Sequence, residues 1–501
     1  MIQEINIIPF FVVIPLAASF LVSIVREKSK WMPDFLGITA TAALLVASLF
    51  SVKIVNVLGT LVYSVGAWKP PFGIALVLDG LTSFMLVTVN LVAFAIALYS
   101  IQYMTQYTSK WKFYTLFLMM LAGMNGVIVT GDIFNLFVFL EIASVASYAL
   151  VAFGTEKHEL EAAFKYAVMS TVGSLFILLG IVLLYSFTST LNMADMAGVL
   201  AQKAGSNIVL MVSALFIMGF GLKAALVPFH AWLPDAHPSA PAPISAMLSG
   251  VLIKSLGVYT LCRIFFNVIG ISPAVSSILL LLGTLSMVVG GLLAIGQWDF
   301  KRLLAYSSIS QIGYIIFAMG LGTPLGIMGA LFHLFNHSVF KSLLFLNSGA
   351  VEYATGTRDL KKMGGLAAKM PVTGTTSLIG SMSIAGIPPF SGFWSKLLII
   401  IAAVQAGRYG CAFWAILVSI LTLAMYMKIM KYAFYGRCKE KEGQIKEVPI
   451  FMRLSMLVLA CICLMGGILL IPGISDVFLQ RASDVVTGGV NYALIVFKNL
   501  Q

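Results

Sequence analysis

The chain has 501 residues, of which 60% are hydrophobic and 10% charged, with a mean hydropathy of +1.00. Soluble domains are about 45–50% apolar and about 25% charged, so a soluble protein is excluded. So is an outer-membrane barrel, because short strands alternating apolar and polar residues are absent. The formal net charge of +12 lies in short loops, with no basic stripe interleaved with aromatics. It reads as orientation in a bilayer, and no nucleic-acid partner is expected.

About 20 apolar residues make one membrane span. Runs bounded by charges or turn residues predict helices over 4–25, 34–58, 79–103, 113–130, 132–153, 162–187, 207–227, 241–267, 273–295, 302–322, 325–351, 371–404, 409–435 and 450–472, fourteen in all. The first is read as a retained span, because its n-region is acidic and no small-residue cleavage site follows. A last apolar stretch over 476–499 carries Asp476, Arg481, Asp484 and Lys498, and is expected to be an interfacial or capping helix. Cys461 and Cys463 are expected in the core of the fourteenth span; Cys262, Cys411 and Cys438 show no metal-ligand spacing.

Loops after odd-numbered spans carry Arg26, Lys28 and Lys30, then Lys110 and Lys112, Lys157, Lys301 and Arg302, Arg358 to Lys369, and Lys431 to Lys446. The other loops offer little beyond Lys69, Lys203 and Arg408. The positive-inside rule then puts both termini outside the cytoplasm. Two segments are punctuated by proline: 220–245, through Pro228, Pro234, Pro238, Pro241 and Pro243, and 372–404, with Pro388 and Pro389 at its middle. Proline removes a helix donor and clashes with the preceding turn, so the seventh and twelfth spans are predicted to be broken. Broken helices in corresponding positions point to inverted repeats with a transport site between them. The expected units are 1–112 (spans 1–3), 113–267 (spans 4–8), 273–435 (spans 9–13) and 450–501. Ser144 and Tyr148 match Ser310 and Tyr314 at one offset between the two repeats.

A charge at mid-bilayer costs about 2.5–3.5 kcal/mol even on the mild insertion scale. Glu141, Lys223, Lys254 and Lys396 all fall inside predicted spans, and His333, His337 and Lys341 recur at i, i+4 and i+8 on one helix face. Snorkelling, a satisfied core histidine or a structural ion pair would explain any one of them. As a set of carboxylate, amines and imidazoles they are what a proton wire needs. Accessory candidates are Lys341, Lys165, which suits an interfacial lysine, and His230 and Asp235 in the loop after the seventh span, for which capping or anchoring competes with gating. No Walker A, GxGxxG or cysteine cluster is present, and His333 and His337 share one helix, which argues against bis-histidine haem. No cofactor, metal or catalytic centre is expected in the chain.

TGDIFNLFVFLEIASVASYAL, LKAALVPFHAWLPDAHPSAPAPISAMLSGVLIK, HLFNHSVFKSLLFLNSGA with GTRDLKKMGGL, and AGIPPFSGFWSK together resemble the proton-translocating antiporter-like subunits. These occur in respiratory complex I, Mrp-type Na⁺/H⁺ antiporters and membrane-bound energy-converting hydrogenases. The resemblance covers spans 4 to 13 and is nearest to the D-type subunit of the Mrp antiporters and its hydrogenase counterpart. It implies a cell-membrane protein of fourteen helices with two inverted five-helix repeats, assembled with other membrane subunits and moving H⁺ and, as a second candidate, Na⁺. It maps the family's glutamate of helix 5 onto Glu141, its lysines of helices 7, 8 and 12 onto Lys223, Lys254 and Lys396, and its helix-11 histidines onto His333 and His337. Some complex I members carry glutamate where Lys396 stands. Protons are expected to enter near Glu141, Lys223 and Lys254, pass the histidines and leave by Lys396. The competing readings are a complex I-type subunit, a transporter for an organic solute, and a non-translocating structural subunit.

Overall fold

A backbone in hydrocarbon must satisfy its own hydrogen bonds, which long apolar segments do as helices. The computed structural model describes residues 6–26, 31–202, 205–437 and 445–499. Its helices are α1 (Ile7–Val25), α2 (Met32–Leu58), α3 (Gly80–Tyr103), α4 (Lys110–Val129), α5 (Ile133–Val151), α6 (Lys157–Thr188), α7a (Asn207–Lys223) and α7b (Leu233–Ser239). They continue with α8 (Ala242–Val268), α9 (Pro273–Ile295), α10 (Phe300–Gly320), α11 (Pro324–Thr355), α12a (Pro371–Ala385), α12b (Ser391–Gln405), α13 (Tyr409–Phe434) and α14 (Ile450–Leu470). Lys28, Lys30, Lys203, Cys438, Lys439 and Lys441 lie outside the described residues.

Among the described residues, eleven helices are long and apolar enough to cross a membrane. The expected spans outside that set have physical reasons to be different. α7a has 17 residues and α12a and α12b 15 each, because both helices are broken. α11 is 32 residues long, but His333, Asn336, His337, Lys341 and Asn347 occupy its middle. The breaks fall where proline predicts: α7a ends at Lys223 ahead of Pro228, and α12a ends at Gly386, whose φ of +81° closes the helix in the left-handed region open to glycine. α6 starts at Lys157, earlier than its apolar run, because Glu156 and Glu159 form a capping box.

Alternate loops gather at opposite ends. At the basic end Asp235 pairs with Lys165 and Arg302, the backbone of Arg358 accepts from Phe300, and the Glu447 carboxylate caps the start of α12a at Val372 and Thr373. At the other end a two-stranded antiparallel hairpin, β1 (Leu61–Ser64) and β2 (Ala75–Leu78), bridges to Thr130. The C-terminal stretch, expected as one helix, is three short ones: Ile474–Val477, Leu479–Thr487 and Tyr492–Lys498. They clamp onto α8 there: Asn267 donates to the carbonyls of Val485 and Gly489, and the Arg263 guanidinium lies 5.2 Å from the Tyr492 ring. Arg263 also grips buried Asp79 in a two-pronged ion pair of 2.7 and 2.9 Å.

Hydrophobic contrast does not hold helices together in lipid, so buried polar pairs and close packing do. Asn90 and Asn125 exchange amide hydrogen bonds, Asn90 also reaches Ser48, and Asn125 Nδ2 donates to the Phe11 carbonyl at 3.1 Å. That carbonyl lacks its helical donor because residue i+4 is Pro15, inside α1. Cys463 is buried as expected, whereas Cys461 faces outward, being two residues away and so on the other side of α14.

Candidate functional site

The break after Lys223 ends α7a inside the bundle, and the lysine side chain is its final residue. Its Nζ lies 3.3 Å from Glu141 Oε1 on α5, 3.0 Å from Ser144 Oγ and 2.7 Å from Ser170 Oγ on α6. Ser174, one turn beyond Ser170, donates to the same Glu141 oxygen. At 3.3 Å and an effective dielectric near 20, the ion pair is worth about 5 kcal/mol of Coulomb attraction. Trp232 closes the site toward the basic end: its indole N–H donates to the Leu222 carbonyl at 3.1 Å, and its ring stacks on Tyr166 at 4.2 Å. Tyr166 in turn shares a hydrogen bond with Ser147 and contacts Tyr148.

α8 runs against this break, and Gly257 makes the approach: a Cβ there would stand 2.6 Å from the backbone of Ala224. Most of α8 is wound as π-helix, over Leu248–Leu252, Lys254–Tyr259 and Arg263–Val268, which the sequence reading did not anticipate. Insertions of this kind recur at functional sites. Here the widened turns leave carbonyls for Lys254, which is fully buried and donates to Ser249 O and, at 2.8 Å, Gly250 O.

On α11 the expected face forms. His333 and His337 rings lie 6.3 Å apart, His333 Nδ1 shares a hydrogen bond with Ser395 Oγ on α12b at 2.9 Å, and Lys341 donates to Tyr426 OH on α13 at 3.1 Å. Tyr426 OH is paired with Ser307 on α10. Lys396 follows the second break. Its Nζ donates to Ser419 Oγ at 3.2 Å, reaches Ala385 O at 3.5 Å and lies 5.1 Å from the Tyr314 ring, which also contacts His333. Of the offset pairs, Ser144 sits at Lys223 and Tyr314 at Lys396, whereas Ser310, the match of Ser144, donates to the Met287 carbonyl instead.

Of the accessory candidates, Lys341 joins this interior row, whereas Lys165 and Asp235 lie apart from it. Lys165 is half exposed and pairs with Glu161 at 2.8 Å and with Asp235 at 3.4 Å; Asp235 also meets Arg302 at 3.6 Å, so it ties α7b to α6 and α10. His230 stands in the break between α7a and α7b. Sequence reasoning missed the hydroxyl partners Ser170, Ser174, Ser395, Ser419 and Tyr426, which come from distant helices and carry no local mark. It also passed over His237 inside its own proline-rich motif.

The fold and its interior define a class: a polytopic helical membrane protein with amines, imidazoles and the Glu141 carboxylate set between α5 and α13. Residues 130–422 match the family described as NADH:quinone oxidoreductase/Mrp antiporter, transmembrane, and residues 62–114 the N-terminal region of complex I chain 5. The D-type subunit of the Na⁺/H⁺ antiporter of Alkalihalophilus pseudofirmus is 37% identical over 439 residues, 87% of each chain. The N-type subunit of the NADH-quinone oxidoreductase of Desulforudis audaxviator is 38% identical, covering 77% of this chain and 78% of its own. Among solved structures, the Mrp complex of a Dietzia species aligns over the whole of both chains with a TM-score of 0.90 and 27% identity. An archaeal membrane-bound sulfane sulfur reductase aligns over 99% of both chains with a TM-score of 0.89 and 30% identity. The chain belongs to the family of antiporter-like membrane subunits shared by Mrp antiporters and complex I.

Proposed function

We propose that this chain is the ion-translocating subunit of a multisubunit complex in the cell membrane, moving protons along Glu141, Lys223, Lys254, His337, His333 and Lys396. The observation that carries this reading is that the buried groups are spaced by hydroxyls and by buried polar atoms with no protein partner. Those atoms include both nitrogens of His337, Nε2 of His333 and both amide atoms of Gln311. Buried polar atoms of this kind suit bridging water, and hydroxyls with water can pass a proton between stations.

The Mrp-type assembly is the first choice of parent complex, with Na⁺ as the exchanged ion, because relatives named as D-type Na⁺/H⁺ antiporter subunits match along most of their length. A respiratory complex of the sulfur-reductase or quinone-reductase kind is the second, favoured by relatives of similar identity there. In this reading α7, α11 and α12 also cross, giving fourteen spans, and 113–267 and 273–435 are inverted repeats with their fourth helices broken. The basic end faces the cytoplasm and both termini lie outside it.

Two measurements test it. Reporter fusions after Lys446 and at the C-terminus should fall on opposite sides, cytoplasmic for the first; both on one side removes the fourteen-span reading. Everted vesicles carrying the whole complex should dissipate a pH gradient on addition of Na⁺, and should stop when Lys223→Met is introduced. A Lys223→Met complex that transports at the wild-type rate favours the purely structural reading.

A further inference from the structure

Between the basic end and the centre of the bundle lies a histidine that the route above does not use. His237, on α7b, is 0% exposed, and neither of its ring nitrogens has a protein partner. A histidine kept for packing alone would serve no better than an apolar ring, and both nitrogens are left for water or a proton. What holds it is shape and backbone: its ring stacks on Phe345 of α11 at 4.7 Å, and its carbonyl accepts from Ser245 Oγ at 2.8 Å.

Its surroundings make a sequence of titratable groups. Toward the basic end, Lys301 of α10 is buried, pairs with Glu352 of α11 at 2.8 Å and donates to the Ala240 carbonyl, three residues beyond His237. Glu352 is part-exposed and also meets Arg358, whose guanidinium donates to the Pro238 carbonyl. Toward the centre, Phe345 lies one turn from Lys341, whose Nζ is 5.8 Å from the Phe345 ring. The cations facing the imidazole are Lys341, Lys254 and Lys301, one each from α11, α8 and α10.

We propose that His237 is a second proton-access station, taking protons that enter at the Glu352–Lys301 pair and passing them to Lys341 and Lys254. The imidazole accepts a proton on one nitrogen and releases one from the other, which leaves it as the opposite neutral tautomer, and proton exchange through water or a ring flip resets it before the next cycle. This assignment rests on the translocation reading above.

The test uses the whole complex in everted vesicles. His237→Phe keeps the stack on Phe345 and removes the titratable nitrogens; it should assemble and lose at least about tenfold in transport rate. His237→Ala should lose as much and recover in part with millimolar imidazole but not with pyrazole, which has similar shape and does not titrate near neutral pH. Packing alone predicts equal rescue by both, and equal rescue overturns the proposal. So does wild-type transport by His237→Phe while Lys223→Met is inactive. If Lys223→Met itself transports normally, the failure lies in the translocation reading. Should His237→Phe not assemble, the comparison of imidazole with pyrazole decides.

Discussion

Lys223 Nζ stands 3.3 Å from Glu141 Oε1, yet the lysine side chain is 3% exposed and the glutamate side chain 30%. Each member has a second set of partners: Ser144 and Ser170 for the lysine, Ser174 for the carboxylate. Under the proposed reading these partners let the pair open without stranding either charge in a dry interior, which an ion pair that only ties two helices does not need.

The exposure of Glu141 at the middle of α5 carries a prediction about assembly. A carboxylate facing lipid is costly, and Val138 and Val145, on the same helix face, are also exposed. This face should be covered by a neighbouring membrane protein of the complex. A cysteine at Val145 should crosslink to another component of the assembled complex; labelling by a lipid-phase reagent instead would contradict it.

The polar contacts of the Lys396 ammonium are one hydroxyl, one carbonyl and the face of Tyr314. Lys396→Ala should assemble normally and lose at least about tenfold in transport, since a proton station disappears. Normal transport in the assembled variant would remove Lys396 from the route.

Asn125 is a contrasting case, a polar residue with a purely structural task. Asn125→Leu strips the Phe11 carbonyl and Asn90 of a donor, at a cost of about 1–2 kcal/mol. The melting temperature of the complex should fall while transport per assembled complex stays unchanged. A transport defect without a change in melting would place Asn125 in the ion route instead.

Much of this was legible in the sequence where one residue type decides the outcome. Pro388–Pro389 and the prolines after Lys223 fix both helix breaks, and mid-span charges stand out against an apolar background. Pro15 did not break α1, because Asn125 from a distant helix supplies the missing donor to Phe11 O. The π-helical winding of α8 has no local residue code and lies where α8 packs closely against Ala224 and α11. The hydroxyls around Lys223 and Lys396 were invisible for the same reason: serine is common, and only the fold reveals which serines converge. His237 was masked by its setting, since a histidine among four prolines reads as loop.

The most direct test of translocation through this chain is the Glu141→Gln and Lys223→Met pair, measured together for assembly and for transport in everted vesicles. Glu141→Gln should give an assembled complex that does not transport, because Lys223 keeps Ser144 and Ser170 but loses the charge that sets its proton affinity. Adding Lys223→Met should not restore activity. A structural ion pair predicts the reverse: either single variant loses about 3–5 kcal/mol of stability, and the double variant largely recovers it. A double variant that assembles and transports well would contradict the account.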